Sequence, residues 1–138
     1  MTGWIRLLHL GDGSWLGLVA GRVAVGDGVG PKREIDPAHG VGLLPLLERP
    51  YSVVILELEE RETELALAPR ALAELLSLDD IPRTAVACRS DYWVDRALDW
   101  LESMPPENVD AALLDEIERA TWATQRTRHR ARRVARQV

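Results

Sequence analysis

Ser90, followed by apolar residues at 93, 97, 100, 101 and 104, constrains the fold of this chain more than any other feature. Serine favours the N-cap, where its hydroxyl accepts a backbone N–H that the first helical turn leaves without a partner. Asp91 follows in the first turn, where the helix dipole stabilises negative charge. Trp93, Ala97, Trp100, Leu101 and Met104 then share one helix face, with Val94 and Leu98 widening the stripe. Pro105-Pro106 cannot continue a helix, so the segment is bounded at both ends. This apolar face must be covered by the rest of a 138-residue chain. That length suits one domain, expected to span 1–138, with a core that needs no metal or disulfide staple.

Residues 4–10 form a short apolar run that predicts a strand, and Gly11-Asp12-Gly13-Ser14 supplies turn chemistry. A second apolar run over 15–25 ends at Gly26-Asp27-Gly28, which completes a predicted β-hairpin. Residues 26–40, rich in glycine and charge with prolines at 31 and 37, read as the most mobile loop. Val41 to Arg49 reads as a helix that Pro45 limits to a turn or two. Ser52-Val53-Val54-Ile55-Leu56-Glu57-Leu58 gives the strongest strand signal, apolar on both faces at its start. It predicts a central strand near 52–58 in a covered sheet, with 63–67 as its pairing neighbour.

Pro69 suits a first helical turn, and Leu72, Leu75 and Leu76 follow at helical spacing until Asp79-Asp80-Ile81-Pro82. Residues 83–88 then read as a short buried strand, giving one βαβ-like crossover and hence a mixed sheet. A last helix is expected from Asn108 almost to the end, with its seam at Val109, Leu113, Ile117, Ala120, Thr127, Ala131 and Val134. The predicted class is α+β (mixed α/β): an N-terminal hairpin, a small mixed sheet, one crossover and two C-terminal helices.

Chemical signatures are sparse. A single cysteine allows no internal disulfide, and Cys88 within Thr84-Ala85-Val86-Ala87 reads as a small buried hydrophobe. His9, His39 and His129 lack paired metal spacing. Asp36 and His39 have the chemistry of a carboxylate–imidazole couple, but a loop histidine without a second motif reads as plain surface. The glycines spell neither a phosphate loop nor a dinucleotide fingerprint, residues 57–64 lack a calcium loop's central glycine, and no Gly-x-Ser-x-Gly elbow occurs. The expectation is a chain with no cofactor, no metal and no assigned catalytic residue. The start of the chain lacks the pattern of a secretory signal, and no apolar run approaches a membrane span, so a cytoplasmic location without a membrane partner is expected. Sixteen arginines against one lysine suit a GC-rich bacterial genome and carry no mechanism.

Charge distribution is more telling. Residues 1–118 hold ten basic and all twenty-two acidic side chains, a formal charge of −12. Residues 119–138 hold seven arginines and no acid, a formal charge of +7. Along the last helix Arg126, Arg130 and Arg133 lie on one side, and Arg128, Arg132 and Arg136 on another. Arg119 and Arg126 are also placed to stack on Trp122, which would order the basic half; an exposed Trp beside arginines would equally serve as an interface anchor.

Phosphate neutralisation by such a helix would suit nucleic acid. Against this, arginines favour a helix C-terminus, form helices well, and can pair with an acidic body in the same chain or a second copy. The acidic residues Glu57, Glu59, Glu60, Glu62 and Glu64, or Asp91, Asp95, Asp99 and Glu102, offer a complementary surface for a basic partner. The sequence therefore favours a non-catalytic protein-interaction domain, an accessory, inhibitor or immunity-like subunit or a homodimer, with Trp122, Arg126, Arg128, Arg130, Arg132, Arg133 and Arg136 as its contact residues. The competing readings are a nucleic-acid-associated protein using the same helix, and an enzyme whose site is assembled from distant acids, His39 or Cys88.

Overall fold

The computed structural model describes residues 3–37 and 41–138. Strands β1 (Ile5–Gly11), β2 (Ser14–Val19), β3 (Arg22–Gly26) and β4 (Pro31–Glu34) form an antiparallel sheet in sequence order. Helices follow: a 3₁₀ helix Val41–Glu48, then α1 (Tyr51–Glu64), α2 (Ala71–Leu75), α3 (Ile81–Ala87), α4 (Asp91–Ser103), α5 (Ala111–Arg119) and α6 (Gln125–Ala135). Strands first and helices after is an α+β arrangement, as the sequence predicts.

The first hairpin forms as expected, with Asp12 and Gly13 both at positive φ between Gly11 and Ser14. The second apolar run is two strands, because Ala20 and Gly21 also take positive φ and make a two-residue turn. The glycine-rich segment supplies a fourth strand. Asp27 Oδ1 accepts the N–H groups of Val29 and Gly30 at 2.8 and 2.9 Å, and this Asx turn returns the chain to pair β4 with β3. Ala38, His39 and Gly40 lie outside the described residues, so the expected Asp36–His39 couple does too. Leu8, Leu16, Leu18 and Val23 bury one sheet face against the helices.

Residues 52–58 are not a strand: they belong to α1. Tyr51, Val54, Leu58 and Glu62 are buried at helical spacing, while Val53 and Leu56 face outward. The glutamates and leucines of the segment are strong helix formers, and tertiary burial of one stripe overrides the β-branched run. Residues 63–67 accordingly form no second strand. Residues 83–88 lie in α3 and at its end, with Pro82 in its first turn, where a missing N–H costs nothing. No parallel pair or βαβ crossover occurs among the described residues; the sheet is antiparallel rather than mixed. The 3₁₀ helix runs eight residues through Pro45 and buries Leu43, Leu44, Leu46 and Leu47.

Helix α2 begins after Arg70, which is left-handed at φ 66, rather than at Pro69. Its start is fixed from α1. Glu62, 4% exposed, accepts the N–H groups of Leu72 at 2.8 Å and Arg70 at 3.2 Å, which satisfies both its own charge and the helix's open donors. Tyr51 donates to Asp79 at 2.9 Å beside Arg70, and burial together with that hydrogen bond pushes its hydroxyl up to about 12.

Helix α4 matches its sequence signature. Ser90 Oγ accepts the Trp93 N–H, and Trp100, 1% exposed, donates Nε1–H to the Arg49 carbonyl at 2.8 Å. Its ring meets Tyr51 edge-on with centroids 5.2 Å apart. The single terminal helix is in fact two. Thr124 Oγ1 caps α6 by accepting the Thr127 N–H, while Asp91 Oδ1 accepts the Thr124 N–H at 3.1 Å and anchors the break to α4. The seam survives the break, since Leu113, Ile117, Ala120, Thr127, Ala131 and Val134 are all buried.

Candidate interaction surface

Helix α6 buries Thr127, Ala131 and Val134, and its arginines divide according to their distance from that stripe. Arg130 borders it on the α4 side. Its guanidinium donates to Asp95 at 2.9 Å, Asp99 at 2.5 Å and Glu102 at 3.0 Å, and also to the Asp95 carbonyl. These acids follow one another at i, i+4 and i+7 on α4, so a single planar fork meets a whole acidic helix face. Burial works against the Arg130 charge, but the hydrogen bonds it donates to the three carboxylates outweigh it and raise its pKa. Burial likewise raises the Asp95 carboxyl, and hydrogen bonds from Arg96 and Arg130 overcome it and hold the group below the usual carboxylate range. On the α5 side Arg132 pairs with Glu118 at 2.8 Å.

The rest of the helix is different. Arg126, Arg133 and Arg136 are exposed together with His129, and Arg128 is half-buried. None of these four arginines has an ion pair among the described residues. The helix dipole accounts for cations near the C-terminus, at Arg133 and Arg136, but Arg126 and Arg128 occupy the opening turns, where that dipole disfavours positive charge. The dipole therefore does not explain them.

An open groove of about 840 Å³ adjoins the start of α6, between the end of α3 and α5. Its floor is apolar, from Val86, Ala87, Ala112 and Ala120. Its rim carries Arg83, Arg89, Arg119 and the half-buried Trp122, with Asp115 and Glu116 as the acids. Arg83 pairs with Asp110 and Arg119 with Asp115, whereas Arg89, left-handed at φ 51, has no ion pair among the described residues. The groove is invisible in the sequence because it forms only where α3, α5 and the 120–124 break converge. Arg83 and Arg89 carry no local signal that separates them from other surface arginines.

The cation–π contacts among the described residues are Arg6 on Trp15 and Arg96 on Tyr92; the stacking expected at Trp122 is not among them. Cys88 is exposed at the end of α3, not buried, because the helix turns its last residues to solvent. The two acidic surfaces also separate. All four α4 acids are engaged within the chain, with Asp91 holding Thr124. On α1, Glu57 pairs with Arg49, Glu64 with Arg61, and Glu62 is buried, leaving Glu59 and Glu60 exposed. Among the described residues no group of three His, Cys, Asp or Glu side chains is placed to hold a metal ion, and no helix is long and apolar enough to cross a membrane. Comparison of the chain with protein-family models, with curated proteins and with solved structures found no match, so this surface is read from its own geometry.

Proposed function

We propose that this chain is a non-catalytic interaction domain that docks an acidic segment of a partner protein on the outer face of α6 and in the groove at its start. The observation that carries the reading is that Arg126, Arg128 and Arg133 of α6, and Arg136 at its C-cap, have no ion pair among the described residues of a chain with twenty-two acids. The inner flank of the same helix demonstrates the recognition chemistry: Arg130 takes a helix bearing carboxylates at i, i+4 and i+7. The apolar side chains of the groove give such a partner something to bury, and Arg89 borders it with charge that has no ion pair among the described residues. The exposed helix is short, eleven residues, which suits a partner of helical size better than the multi-phosphate footprint of a duplex. The net charge of −5 disfavours long-range attraction of nucleic acid.

The test is a titration of the full chain, and of a chain ending at Gln125, with three labelled probes across salt concentration. These are an acidic helical peptide carrying leucines, mixed-sequence DNA and mixed-sequence RNA. The reading expects the intact chain to bind the peptide and neither nucleic acid. Nucleic-acid binding with a steep salt slope, lost on truncation while the fold persists, would replace the protein reading with the nucleic-acid one. Isolation of the chain from its native host then identifies the partner.

A further inference from the structure

Acids that the fold leaves free lie on α1, beside apolar side chains that also face outward. Tyr51, Val54, Leu58 and Glu62 form the buried stripe of that helix, which turns its opposite face away from the body. On that face Leu56 is 55% exposed and Val53 40%. Val53, Leu56 and Glu60 follow at i, i+3 and i+7 with Glu59 beside them, so apolar and acidic side chains form one surface. Glu57 and Glu64 are taken by Arg49 and Arg61, whereas the carboxylates of Glu59 and Glu60 have no hydrogen bond or ion pair among the described residues. Along α6 and its C-cap, Arg126, His129, Arg133 and Arg136 are exposed at i, i+3, i+7 and i+10. The guanidiniums of these three arginines have no acceptor among the described residues. Both helices pack on α4, so their outward faces point away from the shared body and do not pair within one copy.

We propose that the partner docked by α6 is a second copy of this chain, whose α1 lays Leu56, Glu59 and Glu60 against the groove and the outer arginines. The inference rests on the reading above, that this surface takes an acidic helical segment, and it names the segment. The outward face of α1 has the required composition: a helix, free carboxylates, and an exposed leucine one turn before them. Exposed ion pairs alone contribute little, so burial of Leu56 among the apolar side chains of the groove supplies affinity and the charges supply register. Made reciprocally about a two-fold axis, the contact closes a dimer; made in one direction, it adds copies head to tail. The net charge of −5 opposes the approach of two copies at long range, so the association is modest.

The test is sedimentation equilibrium of the full chain from micromolar to millimolar concentration, with two charge-reversed variants. One carries Glu59→Arg and Glu60→Arg, the other Arg126→Glu and Arg133→Glu. The parent is expected to associate as concentration rises. Each variant alone sets like charges against each other and should associate ~tenfold or more weakly. An equimolar mixture of the two should recover association, because reversed acids meet reversed arginines while the native faces meet as before. All four positions are exposed, so each variant should keep the parent's melting temperature at dilutions where the parent is monomeric. Leu56→Gln, also exposed, should weaken association without any change of charge. A parent that stays monomeric, association that persists in both charge variants, or a mixture that fails to recover it would overturn the inference. A monomeric parent that still binds the acidic helical peptide sinks this inference alone; one that binds no such peptide sinks the underlying reading as well.

Discussion

The two sides of α6 carry the same residue type and opposite physics. On the α4 side Arg130 is held by three carboxylates and is largely withdrawn from water, so its charge is part of the fold. On the outer side Arg126, Arg133 and Arg136 are exposed and have no carboxylate partner among the described residues, so their charge is available to something else. Sequence position does not distinguish them; the buried stripe of Thr127, Ala131 and Val134 does, because it sets which arginine borders α4. An arginine-rich helix is therefore not one feature but two, a pin and a display.

The largest effect should come from breaking the scaffold beneath the pin. Trp100→Ala removes a ring 1% exposed, its hydrogen bond to the Arg49 carbonyl and its contact with Tyr51. It is expected to destabilise the protein by about 3–5 kcal/mol, read as a lowered denaturation midpoint. An unchanged midpoint would mean that α4 is not the element on which the core is built.

Next comes the pin itself. Arg130→Met keeps much of the apolar stem but leaves Asp95, Asp99 and Glu102 crowded together without their shared cation. A loss of about 1–2 kcal/mol is expected, below that of a fully buried pair because these carboxylates are partly solvated. A midpoint equal to the parent's would erase the distinction between the two sides.

Acid should loosen the same contact. The Asp95 pKa is depressed in the folded chain, so its stabilisation is complete above the unfolded value of about 3.9 and is lost as pH falls through the lower folded one. Melting temperatures from pH 5 to pH 2 should fall less steeply for Asp95→Asn than for the parent. Equal slopes would locate the acid sensitivity elsewhere.

The smallest effect on stability should be at the display. Arg126→Gln combined with Arg133→Gln is expected to shift stability by less than about 0.5 kcal/mol, as exposed substitutions without partners do. The same double change should remove most binding of an acidic helical peptide. A variant that melts well below the parent would show that the outer arginines have partners within the protein after all.

Legibility in the sequence followed the same line between what is local and what is not. Helix α4 could be read from its own residues because cap, stripe and stop are all local: Ser90, Trp93 to Met104, and Pro105. Helix α1 could not, since Val53-Val54-Ile55 resembles a strand until it is known that Tyr51, Val54 and Leu58 face the same core. The division of the terminal helix was written locally in Thr124 and Thr127, yet a continuous apolar seam from Leu113 to Val134 outweighed that small polar signal. Of the contact surface, the arginines of α6 were legible as a group. Their sorting into engaged and open members depends on α4 and α5, and the groove with Arg83 and Arg89 depends on three elements meeting. Pairings of this kind are properties of the assembled chain.

Glu62 has a consequence for the order in which the molecule comes together. Five residues are too few to nucleate a helix alone, and the first open donors of α2 are taken by a carboxylate that belongs to the preceding helix. Helix α2 is thus conditional on the last turn of α1, and its amides should exchange with deuterium only when that turn opens. Residues 51–76 are thus expected to open as one cooperative unit, in which a single carboxylate carries the memory of one helix into the start of the next.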